Sequence, residues 1–385
     1  MSPLVGQVSS PDVAAAADRL RAVAGELARV FVERTEVLEG ALAALIARQH
    51  VLLVGPPGTA KSMLADELCR RIDGATYFQW LLTKFTTPEE VFGAVSLRAL
   101  ENDEYRRVTT GKLPEAHVAF LDEVFKASSS ILNALLTILN ERRFHNGGRP
   151  LDVPLLSLFG AANELPEEEE LAAVYDRFLV RFVVGYVAED WRFLRMLAAP
   201  APDVGATLSL ADVRSLQAAA ERVEIPDAVL RSIVEVRRAL QGRDLTPSDR
   251  RFRQSLSLMR ALALVRGKAR VGDDELLFLE HVLWRDPSER DTVREVLRQL
   301  VHGFDEEVQE IVFQGRELGE YAQREWDSLE QRARARIEVE TKLRNLLRQL
   351  DEIERRAREA GRSVGRAGDA RSELEAIRAG LAAGA

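Results

Sequence analysis

Eight consecutive residues carry the clearest chemistry. Gly55-Pro-Pro-Gly58-Thr-Ala60-Lys61-Ser62 follows a short apolar run and precedes a helical pattern. A loop so placed turns its backbone N–H groups toward phosphate oxygens, with a helix N-terminus behind them. Gly55, Pro56, Pro57, Gly58, Thr59 and Ala60 would form the cradle. Lys61 would reach the β- and γ-phosphates, and the Ser62 hydroxyl would ligate Mg²⁺. Alanine at position 60 departs from the general pattern, which has glycine there. It costs nothing if that residue sits at negative φ as the helix begins.

Three further groups suit the same chemistry. Val118-Ala-Phe-Leu121 ends in Asp122-Glu123, two carboxylates at the C-terminal edge of a buried strand, where open α/β sheets bind ligands. Asp122 fits a Mg²⁺ holder, directly or through water, and Glu123 a base that polarises attacking water. Leu158-Phe-Gly-Ala-Ala-Asn163 ends another apolar run in an amide suited to orienting water against a γ-phosphate, although asparagine is also a common turn former. Arg177 and Arg181 lie four apart near the last strand, where one could neutralise phosphate charge. Taken singly, each reads better as a surface ion-pair partner.

These groups need a scaffold. Short apolar runs at His50–Gly55, Thr76–Leu82, Val118–Leu121, Leu155–Ala161 and Phe182–Val187 alternate with helical stretches, among them Ser62–Arg71 and Ser130–Arg142. The alternation predicts an α/β fold with a parallel sheet covered on both faces. Val13–Val32 and Thr35–Arg48 read as amphipathic helices before the first strand. Two segments interrupt the pattern: Gly93–Pro114, with β-like pieces at Ala94–Leu97 and Tyr105–Thr109, and Arg143–Val153, where Asn146-Gly147-Gly148 signals a hairpin turn. Past Ala198 the strands stop. Ala199–Asp203 reads as a linker and Leu208–His302 as successive helices, with Thr246-Pro-Ser-Asp249 as a capped helix start. From Asp305 onward, 15 basic and 18 acidic side chains surround a seam of Val339, Leu343, Leu346, Leu350, Ile353 and Ala357. The step repeats at Ala370, Leu374, Ile377 and Leu381 after a break at Gly361–Gly368. A self-closed helical bundle fits this better than a coiled coil with a partner, because so few heptads are present.

Composition excludes several classes. The chain has 385 residues and a net charge of −8 (53 basic, 61 acidic), so no global positive field draws it to nucleic acid. The longest uncharged stretch, Ala127–Asn140, is too short and polar for a membrane span, which needs about 20 apolar residues. No export signal is evident, so a cytoplasmic location is expected. The lone Cys69 and five scattered histidines give no metal cluster at ligand spacing.

In order, the motifs Gly55–Ser62, Leu82-Thr-Lys-Phe-Thr-Thr-Pro-Glu-Glu-Val-Phe-Gly93, Leu113–Ala116, Phe120–Glu123, Ile131–Thr137, Asn140–Arg142 and Asn163–Pro166 resemble those of AAA+ ATPases of the MoxR branch, most closely the RavA group. The similarity covers roughly residues 20–300, and the stretch Leu82–Gly93 is specific to this group. Alanine at position 60 is usual there. The resemblance implies a P-loop αβα sandwich, an all-helical lid and a C-terminal helical bundle. The expected boundaries are 1–198 for the core, with a helix-2 insert at about 93–116 and a pre-sensor hairpin at about 143–154. An insertion and lid would follow at 199–303 and the bundle at 304–385. It also implies ATP and Mg²⁺ as cofactors, Lys61 and Ser62 as Walker A, Asp122 and Glu123 as Walker B, and Asn163 as sensor 1. Arg177 would be the finger reaching a neighbouring subunit. Arg250 would be sensor 2, with Arg251 the adjacent alternative, acting on the neighbour's nucleotide because the lid is displaced. RavA proteins carry a small β-rich domain after the lid, and residues 305–385 read as helix instead.

The expected function is therefore Mg-dependent ATP hydrolysis by a homo-oligomeric, hexameric ring that remodels or activates a client protein. The expected partner bears a von Willebrand factor A (vWA) domain. A DNA motor is the alternative, weakened by the acidic balance; a chelatase motor is another. A scaffold without turnover has no need of Asp122, Glu123, Asn163 and Arg177 together.

Overall fold

The computed structural model describes residues 11–165, 169–198, 205–322, 324, 328–359 and 366–383. The expected linker Ala199–Asp203, most of the Gly361–Gly368 break, Pro166 and the side chain of Leu381 lie outside them. Helices α1 (Pro11–Val30) and α2 (Thr35–Ile46) precede β1 (His50–Val54). Then come α3 (Lys61–Arg70), β2 (Ile72–Asp73), β3 (Tyr77–Leu81), α4 (Pro88–Phe92), α5 (Leu97–Leu100) and β4 (Val118–Asp122). Next are α6 (Ser129–Glu141), β5 (Arg143–Asn146), β6 (Arg149–Asp152), β7 (Ser157–Ala162), α7 (Glu169–Tyr175), β8 (Phe178–Val183) and α8 (Asp190–Leu197). Last are β9 (Leu208–Ser209), α9 (Leu210–Glu221), α10 (Asp227–Gln241), α11 (Asp249–Val265), α12 (Asp273–Leu277), α13 (Arg290–Ala322), α14 (Leu329–Glu359) and α15 (Ala367–Ala383).

The main sheet is parallel with order β3-β4-β7-β1-β8. Its central strands are buried along their length, which is why β1, β4 and β7 read as continuous apolar runs. Alternation sorts the faces: Leu52, Val54, Ala119, Leu121 and Leu158 share a core with Ile131, Leu135 and Ile138 of α6. On the other side α2 packs on β1 and β8. This is the expected α/β sandwich, followed by helices.

The contacts divide the chain into two compact units, Met1–Ile225 with Pro247–Arg290, and Pro226–Thr246 with Asp291–Ala385. The boundaries expected at 198/199 and 303/304 do not coincide with this division. In the second unit, Val308 and Ile311 of α13 pack with Val339, Leu343, Leu346, Leu350 and Ile353 of α14 and with Ala370 and Leu374 of α15. The heptad seam is thus satisfied within the chain, as a bundle. Among the described residues no helix is long and apolar enough to cross a membrane.

Several local expectations are corrected. The last strand of the sheet is Phe178–Val183, so Arg181 lies inside it, not before it. Strands do not end at Ala198, since Leu208–Ser209 pairs in parallel with Ile72–Asp73. Ser248, not Thr246, caps α11, accepting from the Arg251 N–H. The Gly93–Pro114 insert is no regular hairpin: a single Val95–Arg107 bridge closes a loop around α5. In the true hairpin of β5 and β6, Gly147 and Gly148 supply the positive φ. Asn146 does something else. Its amide accepts from Arg107 N–H at 2.7 Å and donates to Arg107 O at 3.0 Å, tying the two inserts together as a strand would.

His50, the first residue of β1, is buried at a junction of three elements. Its Nδ1 accepts from the Leu158 N–H at 3.0 Å, which leaves the proton on Nε2, 3.2 Å from Leu139 O. Burial, and then the nearby Arg142 charge, hold its pKa well below the ordinary value. The unfolded chain takes up this proton below about pH 6.5 while the fold resists it. The contribution is therefore full above about pH 6.5 and is lost as pH falls, by up to about 1.4 kcal/mol per unit. Denaturant midpoints should fall more steeply between pH 6.5 and 5.5 for the wild type than for His50→Gln. Equal slopes would remove His50 from the acid response.

Candidate nucleotide-binding site

Because β1, β7 and β4 are adjacent and parallel, their C-terminal ends open on one edge of the sheet. The loop after β1 is anchored on both sides: Gly55 N–H donates to Ala162 O at 3.0 Å and Val184 N–H to Val54 O at 2.8 Å. That closeness demands glycine at position 55, where φ is 152° and a Cβ would stand 2.0 Å from the Val184 carbonyl oxygen. Ala60, just before α3, has φ 62° and ψ 25°. The negative φ that would make alanine free is not what the loop adopts. A left-handed residue with a side chain costs roughly 1–2 kcal/mol that glycine avoids.

Lys61 is buried and folds back on the loop, donating to Gly55 O at 2.5 Å and Pro56 O at 2.9 Å. Burial lowers its pKa, against the opposing pull of Asp122 and Glu123. Asp122 Oδ1 accepts from the Glu123 N–H at 3.0 Å. Glu123 itself is left-handed, with φ 52° and ψ 45°, so its carboxylate turns back across the strand ends. There Asn163 Nδ2 donates to Glu123 Oε1 at 2.6 Å, and Lys126 Nζ lies 3.3 Å from Oε2. The structure therefore brings Lys61, Ser62, Asp122, Glu123 and Asn163 to one edge. The Ser62 hydroxyl and Asp122 carboxylate are hard oxygen donors of the kind Mg²⁺ takes.

Beside this polar edge opens a mostly apolar cavity of about 530 Å³, lined by Gly58–Ala60 of the loop and by Phe31, Val32, Met63, Tyr186, Phe193 and Met196. Tyr186 Oη donates to Pro57 O at 3.3 Å, so the far wall touches the loop. An apolar pocket against a phosphate cradle suits a flat heterocycle. Sequence reading missed these lining residues. The available signal was α8, which has no buried residue although it carries Trp191, Phe193, Leu194, Met196 and Leu197.

Residues 18–218 match the family described as the MoxR domain in the MoxR-vWA-beta-propeller ternary systems, and residues 228–297 match an AAA lid domain. The chain belongs to the MoxR family of AAA+ ATPases. Similar proteins include an uncharacterised protein of Methanocaldococcus jannaschii, 42% identical over 70% of this chain and 72% of that protein. Chaperone MoxR1 of Mycobacterium tuberculosis is 30% identical over 63% of this chain and 68% of its own length. A solved structure from Cytophaga hutchinsonii superposes with a TM-score of 0.60 at 18% identity, covering 74% of this chain and 96% of that one. That last likeness speaks to the fold.

In this MoxR-family chain the arginines separate from the edge just described. Arg177 precedes β8 and lines a second cavity of about 600 Å³ with Arg250, Arg48, Asn140, Arg142 and Arg143. Arg48, Val153 and Arg177 all precede strands, so this cavity opens at the N-terminal edge of the sheet. Strands of five or six residues put the two edges about 16–20 Å apart. Arg177 Nε and Nη1 are buried without a hydrogen-bond partner. Arg250 is exposed and donates to Asn140 Oδ1 at 3.0 Å. Their sequence neighbours are spent on the fold. Arg181 is buried and donates to the carbonyls of Phe178, Trp284 and Tyr175. Arg251, also buried, donates to the carbonyls of Leu179, Val282, Phe178 and Asp176.

Proposed function

We propose that this chain hydrolyses ATP with Mg²⁺ as one subunit of a closed hexameric ring whose every site is finished by a neighbour, and that the cycle remodels a client protein. The observation that carries this reading is the separation of the arginines: Arg177 and Arg250 share the N-terminal edge, and the phosphate loop lies at the other. Within one chain they are too far from the cradle to touch the same phosphate, so head-to-tail packing of subunits is what would make them useful.

In this reading Lys61 leaves its carbonyl partners for phosphate oxygens. Ser62 and Asp122 would hold the metal, which when bound neutralises phosphate charge. Glu123, held by Asn163, accepts the proton of the attacking water. Arg177 of one subunit stabilises charge on the neighbour's transferring phosphoryl group, and Arg250 assists as sensor 2 because Arg251 is committed to backbone carbonyls. A vWA-domain partner is supported by the family description that the chain matches.

ATPase activity per chain should rise with protein concentration as rings form, vanish with EDTA and return with Mg²⁺. Concentration-independent turnover by a species that sedimentation shows to be monomeric would overturn the shared site. In the same chelator series, a vWA partner should be released by EDTA; retention would take its metal site out of the binding.

A further inference from the structure

A second cluster of ligating side chains lies away from the phosphate edge. Glu36 stands in the first turn of α2, and Glu280 and His281 end the 3-10 turn Phe278–His281 that follows α12. One ligating atom from each lies within 4.8 Å of the others. His281 is 2% exposed, with its ring centroid 4.7 Å from Phe182 and 4.9 Å from Phe278. Its Nδ1 has no hydrogen-bond partner, and its Nε2 is aimed between the carboxylates, 3.4 Å from Glu36 Oε2 and 3.4 Å from Glu280 Oε1.

The spacing discriminates between two occupants. A protonated imidazole bridging two carboxylates would draw them to about 2.7–2.9 Å. Ligand atoms around a tetrahedral ion, with bonds of about 2.0–2.2 Å, stand about 3.3–3.5 Å from one another. The two 3.4 Å separations from His281 Nε2 agree with the second. We infer that Glu36, Glu280 and His281 form a binding site for a zinc-class divalent cation, with water in the fourth position. An imidazole between two carboxylates suits Zn²⁺ or Co²⁺, whereas Mg²⁺ prefers oxygen alone. Water has access, because the Glu36 side chain is 66% exposed. Arg290 lies 3.9 Å from Glu280 Oε1 and opposes the ion's charge, so the site is an exchangeable one.

Such an ion would brace the nucleotide cavity. Glu36 lies just beyond Arg34, which lines that cavity. Past His281 the chain runs to Trp284 and Arg285, whose carbonyls accept from Arg181 and Tyr175. Ion binding here does not depend on ATP turnover.

The test uses the full chain, stripped with EDTA, dialysed and kept free of nucleotide. Zn²⁺ is titrated by calorimetry and Co²⁺ by visible absorption, with thermal melts alongside. One ion per chain is expected, with the intense bands of four-coordinate cobalt and a higher Tm. Glu280→Gln and Glu36→Gln should each weaken binding at least tenfold, while Asp122→Asn leaves it unchanged. Glu36→Gln is the decisive variant, because that side chain is exposed and its replacement leaves the core intact. No binding by the wild type, equal binding by Glu36→Gln, or loss with Asp122→Asn would each overturn the site.

Discussion

Glu123→Gln should keep nucleotide and lose turnover, with kcat falling about 10²–10⁴-fold, the range a positioned general base supplies. The substitution is conservative in this setting. Glutamine retains an Oε1 that can accept from Asn163 Nδ2, and it inherits the left-handed backbone that the wild-type residue already tolerates. What disappears is the negative charge and the capacity to take a proton from water. Lys61→Ala should behave differently, losing nucleotide affinity itself, since that ammonium is the cation inside the loop. Binding of a fluorescent ATP analogue and steady-state phosphate release separate the two. Hydrolysis by Glu123→Gln near the wild-type rate would remove Glu123 from the role of base, whatever the fold.

The contrast between what could be read in advance and what could not follows sequence distance. The phosphate loop, the Asp122-Glu123 pair and Asn163 each end a contiguous apolar strand, so one local pattern supplies both the element and the position of its functional end. The Asn146-Gly147-Gly148 turn was equally local, yet the Asn146 side chain's bond to Arg107 joins two inserts and has no signature in either. Arg177 and Arg181 look alike as text. Only burial distinguishes them, because Arg181 spends its guanidinium on carbonyls that converge in space from Tyr175 to Trp284. The same holds for Arg250 and Arg251. Thr246 and Ser248 are both credible caps, and Pro247 and Asp249 favour Thr246, yet the helix begins two residues later. The two-residue β9 is too short to show a period. The apolar cavity draws on the end of α1, the phosphate loop and α8, and the cluster of Glu36 with Glu280 and His281 joins the two ends of the first unit. Spacing rules could find neither.

Arg177→Ala should cost about 10³–10⁵ in kcat if its guanidinium acts on a neighbour's nucleotide, the effect of an arginine supplied in trans. The loss should leave nucleotide binding and folding intact, because Arg177 Nε and Nη1 have no hydrogen bonds to forfeit. The discriminating measurement is a mixture. An Arg177→Ala subunit retains Glu123, and a Glu123→Gln subunit retains Arg177. Where an Arg177 from one faces the loop of the other, a complete site forms although neither protein alone has one. Mixing two inactive preparations should therefore restore a fraction of the wild-type rate, greatest near equal amounts and absent below the concentration at which rings assemble. A site completed within one chain predicts no recovery at any ratio, and that outcome would place the arginine's action in its own subunit or nowhere in the reaction.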